Sequence, residues 1–272
     1  MNELYFCTAL CELARGTYKG EDLTKRFAGD IGKYQENPWA WIKDRIQKQD
    51  FSGLFIGDYI PFSTSAGETF EAQIAGIDCY YNTSDSEPGA GHHIDFITRD
   101  CMKDTVVWNT ENRNNGSSAS PSPWLSSHLY SYLNTEVWET LPKALRDAVS
   151  PKRMMLEKRF SEDGPLSSSD GWMWAEAGNL WVPNEYEVYG SVCWGTKGFS
   201  SPQGLQYPLF RNSWKNRMKG AGAGGDRTYW WLLNPFDGDA ERVCLVAVHG
   251  NTSRNMPTNS KVRTPICFRI GA

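Results

Sequence analysis

The stretch that most constrains this chain is "DRTYWWLLNPFDGDAERVCLVAVHGN", residues 226–251, in which two apolar segments flank one turn. Residues 234–239 predict a tight turn, because proline fixes φ, aspartate caps locally and glycine accepts positive φ. The segment before the turn has bulky residues at consecutive positions, so at least one tryptophan is expected in the core. Strand alternation divides that segment into two faces: Tyr229, Trp231 and Leu233, and Trp230 and Leu232.

The N-terminal part of the chain has a helical pattern. Asn37 followed by Pro38 predicts a helix start, and Trp39, Ile42 and Ile46 then fall on one face at three- and four-residue spacings. From residue 54 onward the pattern changes to short strands. We therefore predict a helical attachment segment over residues 1–52 and one domain over residues 53–272.

The domain mixes strands and helices without regular alternation. Two features have local signals of their own: Trp172 and Trp174 have strand spacing, and 183–190 is predicted as helical turns closed by Gly190. The chain has no internal repeats, and this order predicts an α+β fold rather than a doubly wound sheet. Strands are predicted at 54–62, 69–81, 92–100, 152–160 and 262–272, helices at 124–134 and 141–151, and polar loops at 109–123, 198–204 and 221–225.

The composition of the chain limits its possible partners more than it limits its possible folds. The 272 residues carry a formal net charge of −4, whereas nucleic-acid binding requires clustered Lys and Arg, which argues against a nucleic-acid partner. The two richest basic stretches, 152–160 and 211–219, interleave apolar residues and are interpreted as solvated faces. The 12 tryptophans suit irregular cores and binding surfaces, which favours a binding protein.

Targeting signals and cysteine usage bear on the compartment. No apolar run is long enough to span a bilayer, and residues 1–16 lack the basic opening and the cleavage site of a signal peptide. The seven cysteines are scattered and include no C-x-x-C, which predicts buried reduced thiols in a protein made in the cytoplasm. Cys7 and Cys11 lie on one predicted helix face far in sequence from His92 and His93, so core packing is favoured over metal binding.

One acidic pair has the residue types of a chemical site. Asp237 and Asp239 match the two carboxylates of a glycoside hydrolase or, with Asn234, a set of oxygen ligands for calcium. A D-G-D sequence is nevertheless commonest as a plain turn, and carboxylates that act together usually come from separated segments. We therefore favour the turn over catalysis or calcium binding.

The remaining nucleophiles lack the partners that catalysis needs. No local sequence places a histidine beside Cys193 or Cys244, and the apolar surroundings of Cys244 favour an inert buried thiol. The glycine-rich residues 220–225 lack the Gly-Lys-Ser ending of a phosphate-binding loop. His92 and His93 open a strand, where alternation points one side chain inward and the other outward.

Several segments, taken in order, resemble a family of domains of unknown function in phages and prophages with a C-type-lectin-like fold. The resemblance covers roughly the last four-fifths of the chain and lies in the succession and spacing of its motifs. It implies a mixed fold of short antiparallel strands, two helices and long loops in a virion-associated display protein. The motifs are "FSGLFIGDYIPF", "GHHIDFITRD", "WLSSHLYSYLNTEVWETLPKALRDAV", "LWVPNEYEVYG", "YWWLLNPFDGDAERVCLVAVHGN" and "VRTPICFRI".

Resemblance and composition together predict a non-enzymatic virion protein that displays loops for a host-surface ligand such as a glycan. It would have no cofactor and no metal, and its partners would be other virion proteins, a host glycan or protein, and copies of itself. A purely architectural capsid or tail decoration protein is the first alternative. The second is an enzyme: a glycan hydrolase, or an oxidase like the formylglycine-generating enzymes, with Cys193, Cys244 and Cys267 near copper. The candidate ligand contacts are Trp172, Trp174, Trp194, Trp230, Asp237 and Asp239.

Overall fold

The computed structural model describes residues 8, 10–12, 16–86, 89–197 and 205–272. Its largest sheet comprises β1 (Tyr59–Ser63), β2 (Thr69–Ile77), β3 (His93–Thr98), β4 (Val149–Ser150) and β14 (Cys267–Gly271). These strands pair antiparallel in the order β1-β2-β3-β14-β4, and the sheet curls into half a barrel. All residues of β3 and β14 are buried, as in strands that are covered on both faces.

Smaller antiparallel sheets surround this one. The strands β11, β12 and β13 form a three-stranded sheet, and the others pair as β5-β8, β6-β7 and β9-β10. A mixed fold with mostly antiparallel sheets was predicted, and this coarse class is confirmed. The bounds are β5 (Arg153–Lys158), β6 (Phe160–Ser161), β7 (Gly164–Pro165), β8 (Gly171–Glu176), β9 (Lys219–Gly220), β10 (Arg227–Thr228), β11 (Trp230–Pro235), β12 (Val243–Val246) and β13 (Thr252–Asn255).

The helices are short, and four of them begin at side-chain caps, which are Asp22, Asn37, Ser127 and Asn184. Asn37 accepts from the N–H groups of Trp39 and Ala40, which confirms the predicted helix start, and Ser127 accepts from the N–H of Tyr130. The helix predicted over residues 141–151 is much shorter in the structure, where it comprises only Lys143–Arg146. The bounds are α1 (Leu23–Arg26), α2 (Ala28–Ile31), α3 (Pro38–Gln47), α4 (His128–Tyr132), a π turn (Leu133–Val137), α5 (Trp138–Thr140), α6 (Lys143–Arg146), α7 (Glu185–Tyr189) and α8 (Pro208–Asn212).

Helix α3 belongs to the same hydrophobic core as the five-stranded sheet. The ring of Trp39 lies edge-on to Phe62, Phe96 and Phe268, with ring centroids 5.6–6.1 Å apart. Ile42 on the same face is fully buried, which confirms the predicted apolar stripe. The division of the chain at residue 52 remains a prediction, and an attachment role for residues 1–52 has to be compatible with this shared core.

The strand-turn-strand unit of residues 226–251 is a core element. Trp230 pairs with Val246 and Trp231 with Leu245 across β11 and β12, and both tryptophans are fully buried. Their indole N–H groups donate to the carbonyls of Arg217 and Val106 at 2.9 and 2.8 Å, so each ring satisfies its single donor inside the protein. The turn places Gly238 at φ 75°, as predicted for a glycine at this position.

The long polar loop of residues 109–123 is held to the rest of the protein by several hydrogen bonds, two of them from buried or nearly buried asparagines. Asn114 is fully buried and donates to the carbonyl of Asp239 at 2.6 Å, while Asn115 donates to that of Leu166 at 2.5 Å. Side-chain amides that replace secondary structure in this way hold a loop in one conformation. The second predicted polar loop, 198–204, lies outside the described residues.

Candidate ligand-binding face

Trp194 is the centre of a surface built from three chain segments. The guanidinium carbon of Arg254 lies 3.9 Å from the Trp194 ring centroid and 5.1 Å from that of Phe236. The two rings are nearly parallel, with centroids 5.8 Å apart. These distances place the guanidinium over one side of both rings, so it caps the pair and is not clamped between them. Trp194, Phe236, Asp237 and Arg254 are called the Trp194 face below.

Helix α7 fixes the backbone on which Trp194 stands. The fully buried carboxylate of Glu185 accepts from the N–H groups of Cys193, Trp194 and Gly195 at 2.8–3.2 Å. Thr252 on β13 adds a fourth donor at 3.0 Å. Three successive N–H groups around one anion form a backbone nest, which here orders the chain before Trp194 reaches the surface.

A buried ion pair supports the face from below. Arg159 is fully buried, pairs with Glu157 and donates to the carbonyl of Phe236 at 2.8 Å. Thr196 links both partners, donating to Glu157 at 2.7 Å and accepting from Arg159 at 3.1 Å. Burial raises the pKa of Glu157, the Arg159 charge partly opposes this, and Asp237 adds to it. The sequence interpretation of 152–160 as a solvated face is wrong here, because these charges are neutralised inside the protein.

Three polar atoms at this place are buried without a hydrogen-bond partner among the described residues. They are Glu157 Oε2, Trp194 Nε1 and Arg254 Nε. Buried polar atoms in proteins are nearly always paired, and leaving one unpaired costs roughly 1–3 kcal/mol. The three atoms are enclosed by protein, and their grouping around one half-buried indole means that hydrogen-bonding groups are left unpaired directly beneath this surface.

Trp172 and Trp174 lie next to this support. Both are half-buried on β8, and Trp172 is directly opposite Glu157 in the β5-β8 pair, while Trp174 is opposite Met155. Directly opposed residues of an antiparallel pair project from the same side. The two predicted tryptophans therefore share the side of the hairpin from which Glu157 reaches Thr196.

The other predicted contacts are distributed differently. Trp230 is fully buried and stacks on Phe210, so the structure leaves it no surface for a ligand; bulky residues on both sides of β11 make it a core residue instead. Asp237 is exposed, and its N–H donates to the carbonyl of Trp194 at 2.9 Å. Asp239 accepts from the Glu241 N–H at 2.7 Å and pairs with Arg242, which is the bonding of a turn residue.

The alternative metal sets do not assemble. The Asn234 side-chain oxygen accepts from Glu185 N–H at 2.7 Å, which uses it inside the core instead of beside Asp237. Of the three cysteines named for copper, Cys244 and Cys267 lie in different sheets and Cys193 is exposed. Within the described ranges, no group of three or more His, Cys, Asp and Glu is placed to hold a metal ion. Cys7 of the predicted helical pair lies outside those ranges.

A second cluster of charges is buried between the five-stranded sheet and α7. Its four aromatic and acidic members, Tyr80, Tyr207, Glu187 and Asp95, surround the cations Lys152 and Arg269. Lys152 pairs with Glu187, which also accepts a hydrogen bond from the Tyr80 hydroxyl at 2.7 Å. Lys152 donates to the Tyr207 hydroxyl at 2.9 Å, and this hydroxyl donates to Asp95 at 2.8 Å. Arg269 donates two hydrogen bonds to Asp95, at 2.7 and 2.9 Å. These six residues are called the core network.

A family model matches residues 96–270 of the chain: the domain of unknown function DUF6273. The chain belongs to the DUF6273 family. The matched residues cover more than half of the protein and run from β3 to β14, so they include both the Trp194 face and most of the core network. No curated protein and no solved structure matches the chain. No helix in the described part of this DUF6273 protein is long and apolar enough to cross a membrane.

Sequence reasoning about this DUF6273 chain missed the residues that carry the Trp194 face. Glu185, Glu157 and Arg159 look like surface charges, because nothing local shows that they are buried. One signal was available: Asn184 and Glu187 have the spacing of a capping box, and the structure contains both of its hydrogen bonds. That motif fixes the start of α7 and so locates Glu185, but its partners at 193–195 depend on tertiary structure.

Proposed function

We propose that this protein is a non-enzymatic binding module that receives a sugar-like ligand on the Trp194 face. The observation that carries the proposal is the set of three unpaired polar atoms around one half-buried indole. Ligand sites combine aromatic surface with a few convergent polar groups, and a polyhydroxyl ligand offers both donors and acceptors. Asp237 and Arg254 would supply opposite charges at the rim of such a site.

The setting of the module is the finer part of the proposal. A C-type-lectin-like architecture, display on a phage or prophage virion, and a host-surface glycan as ligand follow from the motif resemblance alone. The rigid support of Trp194 by α7 is compatible with this, because loops that bind ligands are commonly held by a stable scaffold. An architectural decoration protein would have no need of unpaired polar atoms beside an accessible aromatic ring.

Glycan hydrolysis is a second candidate, favoured by one observation. Burial and the nearby charge of Asp237 raise the pKa of Glu157. Two carboxylates with different pKa values can act as the general acid and the base of a hydrolase. The pairing of Glu157 with Arg159 opposes the role, because the cation holds the carboxylate in its charged form. Release of reducing ends from a bound glycan by the wild type, and none by Glu157→Gln, would favour hydrolysis over binding alone.

The proposal is tested with labelled protein on a panel of bacterial cells and isolated cell-wall glycans. Saturable binding is expected, and Trp194→Ala should weaken it about tenfold or more, the effect of removing an aromatic anchor. Tyr229→Ala is the matched control. Tyr229 is exposed but precedes β11, whereas Phe236 follows it, about 20 Å away along the strand.

Light scattering measures the molecular mass of the protein in the same samples, so that a folded protein that does not bind can be distinguished from an aggregated one. A folded protein that binds no member of the panel contradicts the binding module and favours the architectural role. Equal losses in Trp194→Ala and Tyr229→Ala would mean that binding does not occur at the Trp194 face. Circular dichroism of each variant ensures that a loss of binding is read only from folded protein.

A further inference from the structure

A second concave site lies on a different part of the surface. A pocket of about 460 Å³ is bordered by Gly16 and Thr17, by Tyr189 at the end of α7, by α8, and by the 3₁₀ turn Trp214–Arg217. It shares no residue with the Trp194 face. Its volume is within the range of small-molecule sites, which is roughly 300–1,000 Å³.

Among the residues that the structure describes, the charged side chains of this pocket are all of one sign. Arg211, Lys215 and Arg217 line it, and none of its described lining residues is Asp or Glu. None of these three cations has an ion-pair partner within the described ranges. Arg211 and Lys215 are exposed, whereas Arg217 is half-buried, and most other buried or half-buried arginines in those ranges are paired. The paired ones are Arg26, Arg45, Arg99, Arg146, Arg153, Arg159 and Arg269. An uncompensated concave cluster of cations concentrates positive potential at its mouth.

Aromatic side chains shape the same pocket. The Arg217 guanidinium lies 4.8 Å from the ring centroid of Tyr189, which holds it in place without neutralising its charge. Arg217 Nε and the Tyr189 hydroxyl are both buried without a partner in the part of the chain that the structure describes. Trp214 is 56% exposed, the most exposed tryptophan among the large hydrophobic side chains at the surface.

We propose that this basic pocket, defined by Tyr189, Arg211, Trp214, Lys215 and Arg217, binds an oxyanion carried by a sugar. Guanidinium and ammonium groups are the usual partners of phosphate and carboxylate, and the exposed indole offers a surface for the apolar side of a sugar ring. The ligand class is thus a phosphorylated or carboxylated saccharide. The proposal does not rest on binding at the Trp194 face.

Another pocket of about 250 Å³ is also lined by basic side chains, but it lacks the free charge. Its arginines Arg153 and Arg269 are paired with Asp85 and Asp95, and His92 Nδ1 lies 2.7 Å from an Asp78 carboxylate oxygen. Neutralised cations attract an anion weakly. Because its cations are unpaired, the basic pocket is the better candidate for an anion site than this second pocket.

The test is calorimetric titration of the full chain with three probes at low salt: inorganic phosphate, glucose 6-phosphate and glucose. Saturable binding of both phosphates and none of glucose is expected. Arg211→Gln with Lys215→Gln should weaken phosphate binding about tenfold. The matched control is Lys33→Gln with Lys143→Gln, which removes the same charge from side chains that are 72% and 80% exposed elsewhere.

A second variant separates the anion from the sugar. Trp214→Ala should weaken glucose 6-phosphate several-fold while leaving inorganic phosphate unchanged, because only the saccharide uses the ring. Glucuronate in place of glucose 6-phosphate shows whether carboxylate serves as well as phosphate.

Equal weakening by the pocket variant and the control variant would mean nonspecific attraction by net charge and overturn the proposal. So would the absence of saturable phosphate binding, or tighter binding of a short oligonucleotide than of the sugar phosphate. Trp194→Ala should leave phosphate binding unchanged, so the two sites can fail separately.

Discussion

The core network and the support of the Trp194 face both bury charged side chains, but they differ in how completely these are paired. In the core network, Glu187 also closes the capping box of α7, and Asp95 receives three bonds from Tyr207 and Arg269. None of its six residues has an unpaired buried polar atom. Under the Trp194 face, Glu157 leaves one oxygen unpaired although it lies beside Arg159 and Thr196.

On the proposed function, the difference separates charges that specify the fold from charges that are left partly unpaired beneath a ligand-binding surface. A fully paired network repays desolvation and fixes how the five-stranded sheet, α7 and the segment before β5 fit together. A partly paired cluster costs stability in the free protein, and a ligand that supplied the missing partners would offset that cost. The following changes test that distinction, from the largest expected effect to the smallest.

Lys152→Met should be the most destabilising change. It removes the cation that neutralises Glu187 in a fully buried site, and breaking such a pair costs about 3–5 kcal/mol. Urea unfolding measures the loss of free energy of unfolding. Lys143→Met, at a side chain that is 80% exposed, is the control and should change it by less than about 0.5 kcal/mol. A loss below about 1 kcal/mol for Lys152→Met would show that the network does not hold the fold together.

Glu185→Gln should combine a smaller loss of stability with a loss of ligand binding. The amide keeps one acceptor oxygen but turns an N–H₂ group toward the backbone donors of 193–195, which we expect to cost about 2 kcal/mol. The free energy of unfolding and glycan binding are measured on the same variant. Unchanged binding at temperatures where the variant is folded would show that the nest does not position Trp194.

The core network also shows how far the structure could be predicted from the sequence. The start of α3 at Asn37, the cap at Ser127 and the burial of β11 follow from local patterns, and all three are present. Lys152 sits in a stretch that reads as solvated, yet its partner Glu187 is 35 residues away and the Tyr80 hydroxyl bonds Glu187 across 107 residues. Periodicity reports which local face is apolar; it carries no information on which charges meet across the fold.

The candidate site was predicted in part for the same reason. Excess tryptophan indicated where aromatic residues cluster, and Trp194 and Trp172 do lie beside the unpaired atoms. It did not distinguish them from Trp230, because a core tryptophan and a surface tryptophan can have the same neighbours in sequence. Arg254 comes from β13, far along the chain from Trp194, and no spacing rule connects them.

The pH dependence of stability should have opposite signs in the two clusters. For Glu157, burial raises the pKa above its ordinary 4.5, so the folded state binds the proton more tightly and stability falls as the pH rises through the folded pKa. For Asp95, burial opposes ionisation but Arg269 outweighs it, so the pKa lies well below 3.8 and stability is lost as the pH falls below that value.

Glu157→Gln mimics the protonated form and isolates the first effect. The free energy of unfolding of this variant, minus that of the wild type, should be larger at pH 7 than at pH 5. Urea unfolding at both values measures this difference. A difference that does not change with pH would mean that Glu157 is ionised throughout and is as fully compensated as Asp95, which would remove the contrast between the clusters.

Arg254→Met should have the smallest effect on stability and the sharpest meaning for the comparison. The guanidinium contributes a cation–π contact over Trp194 at a half-exposed place, worth about 0.5–1 kcal/mol, while its unpaired Nε costs part of that gain. Methionine keeps the packing on both rings and removes the charge and the orphaned donor together. The free energy of unfolding should therefore change by less than about 1 kcal/mol, whereas ligand binding, measured by titration of a bound glycan, should fall about tenfold. If stability fell by several kcal/mol and binding did not change, Arg254 would be a structural residue like those of the core network, and unpaired atoms would not distinguish recognition from architecture in this protein.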